Sequence, residues 1–332
     1  MKNTLFIIAA PLGDMICFSS YLKDYKETYP DENLYIKVLI ENLSELFKDN
    51  VYVTLYDPNV SYNKIYEYNL YHIDQTSLST EYCKLIHQDQ GSIQHKHYFY
   101  LNTLYNLNVK HNTLYPIIQV NANKKIVSDK PICIINSSAG YLNFDSRFWG
   151  IHNYQFVIDK LKDKINFISV GSNSYNQLIY LNKLNNLYLD LINKTSIYEM
   201  LNIIAQADFV LTHESGLYHA GCIPSNKHKH VIVPAGSRHT FKSNYWESPN
   251  VTIHWLSNKD KNNYYKHCFN ENEHLCMCGC TLSKLQYNSF EHNAVGANCK
   301  LPVFSNGEIL SHCLHDINPQ TVVNLFNDIL KG

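Results

Sequence analysis

Residues 207–219 read Ala207-Asp208-Phe209-Val210-Leu211-Thr212-His213-Glu214-Ser215-Gly216-Leu217-Tyr218-His219. The opening five form a short apolar run with a single Asp, which predicts a buried strand. After Leu211 the chain turns, and Ser215-Gly216 opens a helix. A hydroxyl, a carboxylate, a glycine and a histidine are thereby gathered at the carboxyl end of a parallel strand, where open α/β sheets bind ligands. Free N–H groups at the start of the new helix favour an anion such as a diphosphate. The same residues also fit an ordinary strand-to-helix turn, so the stretch decides the fold class and leaves the chemistry open.

Working outward, strands and helices alternate on both sides. Residues 4–10 predict a strand, and Met15, Phe18, Leu22 and Tyr25 fall at helical spacing until Tyr29-Pro30-Asp31 stops them. A strand at 34–39, a short helix at 41–48 and a strand at 51–55 follow. From 57 to 125 the pattern is poorer, and predicts one helix near 96–107 and a strand at 117–120. A second alternation begins with a strand at 132–136, a helix at 154–161, a strand at 166–170, a helix at 174–181 and a strand at 187–190. Ser196 and Glu199 make a capping box for a helix running to 205. Strands at 231–233 and 251–253 come next, and Asn318-Pro319 opens a last helix with Val322, Val323, Phe326, Ile329 and Leu330 on its apolar face.

This alternation implies an α/β protein with parallel sheets, in two halves facing each other across a cleft. The polar run 121–125 is the expected linker. It divides the chain into 1–125, 126–317 with a cysteine-rich segment at 268–313, and a terminal helix at 318–332. A length of 332 residues agrees with two domains, and 45% hydrophobic residues can fill their cores. A net charge of −1 argues against a duplex nucleic-acid partner. No apolar run reaches about 18 residues, so no membrane-spanning helix is expected. Residues 1–11 lack the length and cleavage site of a secretory leader, which predicts a cytoplasmic protein.

Asp14 follows the first strand, where a carboxylate can act as general base towards a hydroxyl. It is equally a good helix N-cap. Asn136-Ser137-Ser138-Ala139-Gly140 ends the first strand of the second half, and its small residues let backbone N–H groups approach a phosphate. Arg147, in Arg147-Phe148-Trp149, offers a guanidinium fork for phosphate oxygens, or is a surface arginine beside a packed tryptophan. His95-Lys96-His97 and His228-Lys229-His230 read as solvated loops. Of ten cysteines, Cys17, Cys83, Cys133 and Cys222 are scattered and read as small buried apolar groups. The other six lie from Cys268 to Cys313. Such density in a cytosolic chain suggests a metal more than disulfides. Four ligands drawn from Cys276, Cys278, Cys280, Cys299 and Cys313 would suit a structural Zn or Fe ion. A set of reduced thiols is the alternative.

Leu12-Gly13-Asp14, Arg147-Phe148-Trp149 behind a Ser-rich turn, Thr195-Ser196 before a helix and Glu214-Ser215-Gly216-Leu217-Tyr218-His219 occur in a fixed order. Together they resemble glycosyltransferase family nine, the ADP-heptose:lipopolysaccharide heptosyltransferases and their relatives. The resemblance spans most of the chain and is strongest from 131 to 240. It implies a GT-B fold, two Rossmann-like domains with a nucleotide-sugar donor held mainly by the second. Asp14 matches the family's base, which deprotonates the acceptor hydroxyl for in-line attack and inverts the anomeric centre. Gly13 belongs to the same motif, and Ser137, Ser138 and Arg147 match the phosphate-side turn and its cation. Thr195 precedes a helix as in the family, while Glu214, Ser215, Gly216 and His219 match the stretch at the donor diphosphate. Arg147 and a helix N-terminus can stabilise the leaving group without a catalytic Mg ion, as in GT-B relatives. Cys313-Leu314-His315 resembles the ending of family members that carry a cysteine set.

The implied donor is ADP-heptose-like, and the acceptor a hydroxyl on a glycan, a lipid-linked saccharide or a protein. The resemblance leaves the oligomeric state open. Three departures stand out: Glu214 is one methylene longer than the family's Asp, 221–230 is longer and more polar, and the first half is short. These also fit an inactive, metal-stabilised binding module on a transferase scaffold. A serine hydrolase built on Ser215 and His219 is disfavoured, because both sit on one helix and no G-x-S-x-G elbow is present.

Overall fold

The computed structural model describes residues 2–73, 76–78, 81, 93–120, 126–137, 149–172, 184–213, 215–234, 246–256, 302–306, 308–311 and 315–332. The first half contains β1 (Lys2–Ala9), α1 (Leu12–Thr28), β2 (Glu32–Val38), a 3₁₀ turn (Glu41–Phe47), β3 (Thr54–Leu55), β4 (Lys64–Asn69), α2 (Leu70–Ile73) and α3 (Ile93–Tyr105). Its four strands lie in the order β3-β2-β1-β4, all parallel.

The second half contains β5 (Ile132–Ile135), α4 (Ile151–Leu161), β6 (Asn166–Ser169), β7 (Leu189–Asp190), α5 (Ile197–Ala205), β8 (Phe209–Leu211), α6 (Gly216–Gly221), β9 (Lys229–Pro234) and β10 (Val251–Leu256). These six strands form one parallel sheet in the order β10-β9-β8-β5-β6-β7. A hairpin of β11 (Pro302–Ser305) and β12 (Glu308–Ser311) precedes α7 (Pro319–Lys331).

Every residue of β5 and β8 is buried, as expected of central parallel strands covered on both faces. α1 buries Met15, Phe18, Tyr21, Leu22 and Tyr25, and its aromatics close edge-on around Phe6 of β1. α7 starts as its sequence predicts. Asn318 accepts from Gln320 N–H at 2.9 Å, Pro319 fills the first turn, and Val322, Val323 and Phe326 face the core. The Ser196–Glu199 capping box at the start of α5 is formed. One apolar core runs unbroken from α1 and the first sheet through Leu217 and Tyr218 of α6 to Ile134 and Val210 in the second sheet. A second core lies on the opposite face of that sheet, under α4 and α7. No helix among the described residues is long and apolar enough to cross a membrane.

Two expectations fail. Residues 117–120 form no strand, because side chains take the backbone groups of Ile117: its N–H donates to Ser19 Oγ at 2.9 Å and its carbonyl accepts from Asn50 Nδ2 at 2.8 Å. The strand expected at 51–55 shrinks to Thr54–Leu55. β4 was not expected at all. Its Lys, Tyr and Glu content obscures an alternation in which Tyr66 and Tyr68 are buried while Ile65 and Glu67 are exposed. Cys17, Cys133 and Cys222 are buried and not in disulfides, as anticipated. The helix at 174–181, the linker at 121–125 and Cys83 lie outside the described residues.

Candidate active site

β1 and β8 each run into a helix at the carboxyl edge of its own sheet, and these two helices, α1 and α6, pack together. Their first turns meet at two glycines. A Cβ on Gly13 would come 2.9 Å from His219 Cδ2 and 3.4 Å from the Gly216 Cα. A Cβ on Gly216 would lie 3.1 Å from Leu12 Cδ2. Only side-chain-free residues allow so close an approach.

Asp14 sits at this meeting point. The helix boundary falls at Pro11, which makes no side-chain cap bond, so Asp14 is a residue of the first turn rather than an N-cap. Its Oδ1 is 2.7 Å from Lys96 Nζ and 4.0 Å from His97 Nε2, both on α3. Lys96 is 1% exposed and His97 fully buried. The reading of His95-Lys96-His97 as a solvated loop is therefore wrong: the triplet is helical, and Lys96 is buried because Asp14 pairs with it. Burial pushes the Asp14 carboxyl up, but the Lys96 ammonium and its neighbours outweigh that and hold it below the ordinary value of 3.8. The group is a carboxylate at neutral pH. Burial drives His97 down to about 3, so it is neutral, with Nδ1 2.8 Å from Tyr68 Oη.

His219 reaches the same point from α6. Trp246 Nε1–H donates to His219 Nδ1 at 3.2 Å, and Cys17 Sγ lies 3.4 Å from the same nitrogen. An indole N–H can only donate, so Nδ1 is an acceptor and the ring proton sits on Nε2, on the edge facing Gly13.

The second sheet supplies the other face of the cleft. Asn136 donates from its N–H to Leu211 O at 3.4 Å and from Nδ2 to Val170 O at 2.9 Å, tying the turn after β5 to its neighbours. Ser137 follows, fully buried, and its Oγ has no hydrogen-bond partner among the described residues. After β8, His213 Nδ1 lies 3.3 Å from Tyr154 Oη, and Thr212 Oγ1 is 3.4 Å from Ser215 Oγ. Ser215 is the residue that precedes the first turn of α6. Thr195 stands apart, half-buried ahead of α5. That helix ties to the first half through Tyr198 N–H to Glu45 Oε2 at 3.1 Å and Tyr198 Oη to Asp49 Oδ2 at 2.8 Å.

The fold thus brings together Gly13, Asp14, Gly216 and His219, with Ser137 and Ser215 at the edge of the second sheet. Ser138, Arg147, Glu214 and the cysteines Cys276, Cys278, Cys280, Cys299 and Cys313 lie outside the described residues. Sequence reasoning missed Lys96, His97, His213 and Trp246. For Lys96 the available signal was its place at the head of the aromatic helical run Tyr98-Phe99-Tyr100-Leu101. The second triplet, His228-Lys229-His230, is also misread as a solvated loop. Lys229 is buried in β9 with Nζ donating to Ile223 O at 3.2 Å, and burial lowers it to about 8.

The family model for glycosyltransferase family 9 (heptosyltransferase) matches residues 80–222. That stretch resembles a family 9 glycosyltransferase domain. The family 9 glycosyltransferase of Veillonella parvula is 11% identical, with 99% of this chain and 97% of that one covered and a TM-score of 0.54. TibC, an iron-containing dodecameric glycosyltransferase of enterotoxigenic E. coli, is 14% identical, with 100% and 77% covered and a TM-score of 0.61. The E. coli ADP-heptose lipopolysaccharide heptosyltransferase II is 13% identical, with 99% and 98% covered and a TM-score of 0.51. At these identities the likeness speaks for the fold, and the chain shares the GT-B arrangement of two Rossmann-like halves. No curated protein sequence matches it.

Proposed function

We propose that this glycosyltransferase moves a sugar from a nucleoside-diphosphate sugar to an acceptor hydroxyl with inversion, and that Asp14 is the base. The observation that carries this reading is an ionised carboxylate held where the first turns of α1 and α6 meet. The acceptor hydroxyl gives its proton to Asp14 while its oxygen attacks the anomeric carbon. The bond from that carbon to the diphosphate breaks, and the nucleoside diphosphate leaves with the electron pair. One displacement inverts the centre.

On the donor side, α6 has only six residues, so it supplies individual N–H donors more than a developed dipole. Ser137, Ser138, Ser215, Gly216, the Nε2–H of His219 and the Arg147 guanidinium complete the proposed phosphate contacts, with Glu214 and Thr195 bordering the donor. Preorganised donors of this kind stabilise charge that develops on a leaving group. Residues 1–125 would form the acceptor-side domain and 126–317 the donor-side domain. TibC is described in complex with ADP-D-β-D-heptose, which makes that donor the first to try here, with a cytoplasmic glycan, lipid-linked saccharide or protein hydroxyl as acceptor. We also assign the Cys276–Cys313 set to a structural iron or zinc ion, taking no part in the transfer. The buried cation matched to Asp14 favours an active enzyme over a binding module.

The test combines thermal shift with turnover. ADP-heptose should raise the melting temperature of the wild type and of Asp14→Ala alike. Turnover in Asp14→Ala should fall by roughly 10²–10⁴-fold, the usual contribution of a general base. Wild-type turnover in that variant would end the reading.

A further inference from the structure

Lys96 comes from α3, the element packed across α1, and its ammonium lies at 2.7 Å from a single oxygen of Asp14. Oδ1 is wholly buried, whereas the Asp14 side chain as a whole keeps 18% of its surface exposed. The exposed share of the side chain therefore lies on atoms other than Oδ1, which leaves Oδ2 as the oxygen not taken by Lys96. α3 is held stiffly at this height. His97 is fastened to Tyr68 of β4 at 2.8 Å, and Tyr98 Oη donates to Asp24 Oδ2 of α1 at 2.7 Å. The ionisable groups facing Asp14 are Lys96 and His97 from α3 and His219 from α6; Cys17, on the same helix as Asp14, is turned to His219. Among them Lys96 supplies the fixed positive charge, since His97 is neutral.

A buried ion pair is a poor device for stability, because desolvating both charges cancels most of their attraction. Its value here is in where it holds the charge. We propose that Lys96 is the positioning residue of the transfer base: it clamps Oδ1, keeps Asp14 ionised and leaves Oδ2 as the atom that takes the acceptor proton. Lys96 stays an ammonium throughout. The proton moves from the acceptor hydroxyl to Oδ2, then from Asp14 to water once the nucleoside diphosphate has left. This inference rests on Asp14 being the base.

The experiment follows the Asp14 carboxyl by ¹³C NMR in the full chain, with the resonance assigned from Asp14→Asn. In the wild type it should titrate below 3.8, the ordinary carboxyl value. In Lys96→Met it should move upward by about one to three pH units, while Lys96→Arg keeps most of the depression. Release of ADP from ADP-heptose, with water as acceptor, should show the same displacement in the acid limb of kcat, with KM nearly constant. An Asp14 titration in folded Lys96→Met that overlays the wild type overturns the proposal. Should Lys96→Met fail to fold, the double variant Lys96→Met/Asp14→Asn should restore folding, because no unpaired charge remains. Failure of the double variant too would make Lys96 a packing residue and overturn the proposal. Wild-type turnover in Asp14→Asn would instead sink the base assignment, and the NMR titration would still report on the clamp.

Discussion

On the first half's face of the cleft, a carboxylate and an ammonium stand 2.7 Å apart and nearly out of water. On the second half's face the described groups are hydroxyls, imidazoles and backbone N–H groups: Ser137, His213, Ser215 and His219. Under the proposed transfer, the difference follows from what each face would receive. A proton acceptor has to be negative before the substrate arrives, and a buried negative group needs a resident counter-charge. A diphosphate brings its own charge, so its host needs donors, with the arginine at 147 as the expected cation. One face is thus electrically complete when empty. The other is completed by its ligand.

The largest way to break this comparison is to force the faces apart. Gly13→Ala would place a methyl 2.9 Å from His219 Cδ2, and that ring is pinned by Trp246 and Cys17. The ring has little freedom to yield, so α1 and α6 must separate. ADP release from ADP-heptose should fall by roughly 10²-fold, the scale expected for a displacement of about 1 Å at a reacting centre. Near-wild-type turnover would show that the glycine contact does not set the reacting distance.

A middle-sized effect concerns the first face alone. His97 titrates at about 3 when folded against 6.5 ordinarily, so between those values the unfolded chain binds a proton that the folded chain does not. This contribution to stability is fully present above pH 6.5 and is lost as pH falls towards 3, at about 1.4 kcal/mol per pH unit. Denaturant midpoints from pH 7.5 to 5 should decline accordingly, and His97→Gln should flatten the decline by about one proton. His111, lowered to about 4 by burial, adds to the wild-type slope and should persist in the variant. An identical slope in both proteins would place the acid sensitivity elsewhere.

The smallest effect sharpens the second face. Trp246→Phe removes the N–H that donates to His219 Nδ1 while keeping an aromatic ring. Freed of its tautomer lock, the imidazole presents the Nε2–H only part of the time. ADP affinity, read by calorimetry, should weaken by a few fold, equivalent to about 1 kcal/mol. No change would remove His219 from the donor contacts.

How legible each face was depends on the kind of signal it carries. β5, β8 and the start of α6 are local: an apolar run, a turn, then Ser-Gly, all within one short stretch. α7 declares itself through Asn318-Pro319 and its apolar stripe. Asp14 could be placed after β1, but that it is no N-cap shows only in the Pro11 boundary, and its buried partner only in Lys96. Lys96 was misread because its burial depends on a partner far away in the chain, and two flanking histidines make the triplet look solvated. Ile117 and Ile118 resemble a strand by composition; the side chains of Ser19 and Asn50 occupy the hydrogen bonds a neighbouring strand would need. Patterns of burial are written locally. Patterns of pairing are not.

The contact of Gly13 with Gly216 has a consequence for how this chain can vary. It carries no reactive atom, yet a Cβ at residue 13 would come 2.9 Å from His219 Cδ2, and one at residue 216 would press on the Leu12 side chain at 3.1 Å. In a saturation library scored for turnover, site 13 would register as closed to substitution, as severely as a reacting group does, and site 216 as restricted to small residues. The two kinds of closed site part company when the score is the fit of α1 against α6: Asp14→Asn leaves the meeting of the two glycines untouched, whereas bulk at residue 13 displaces it.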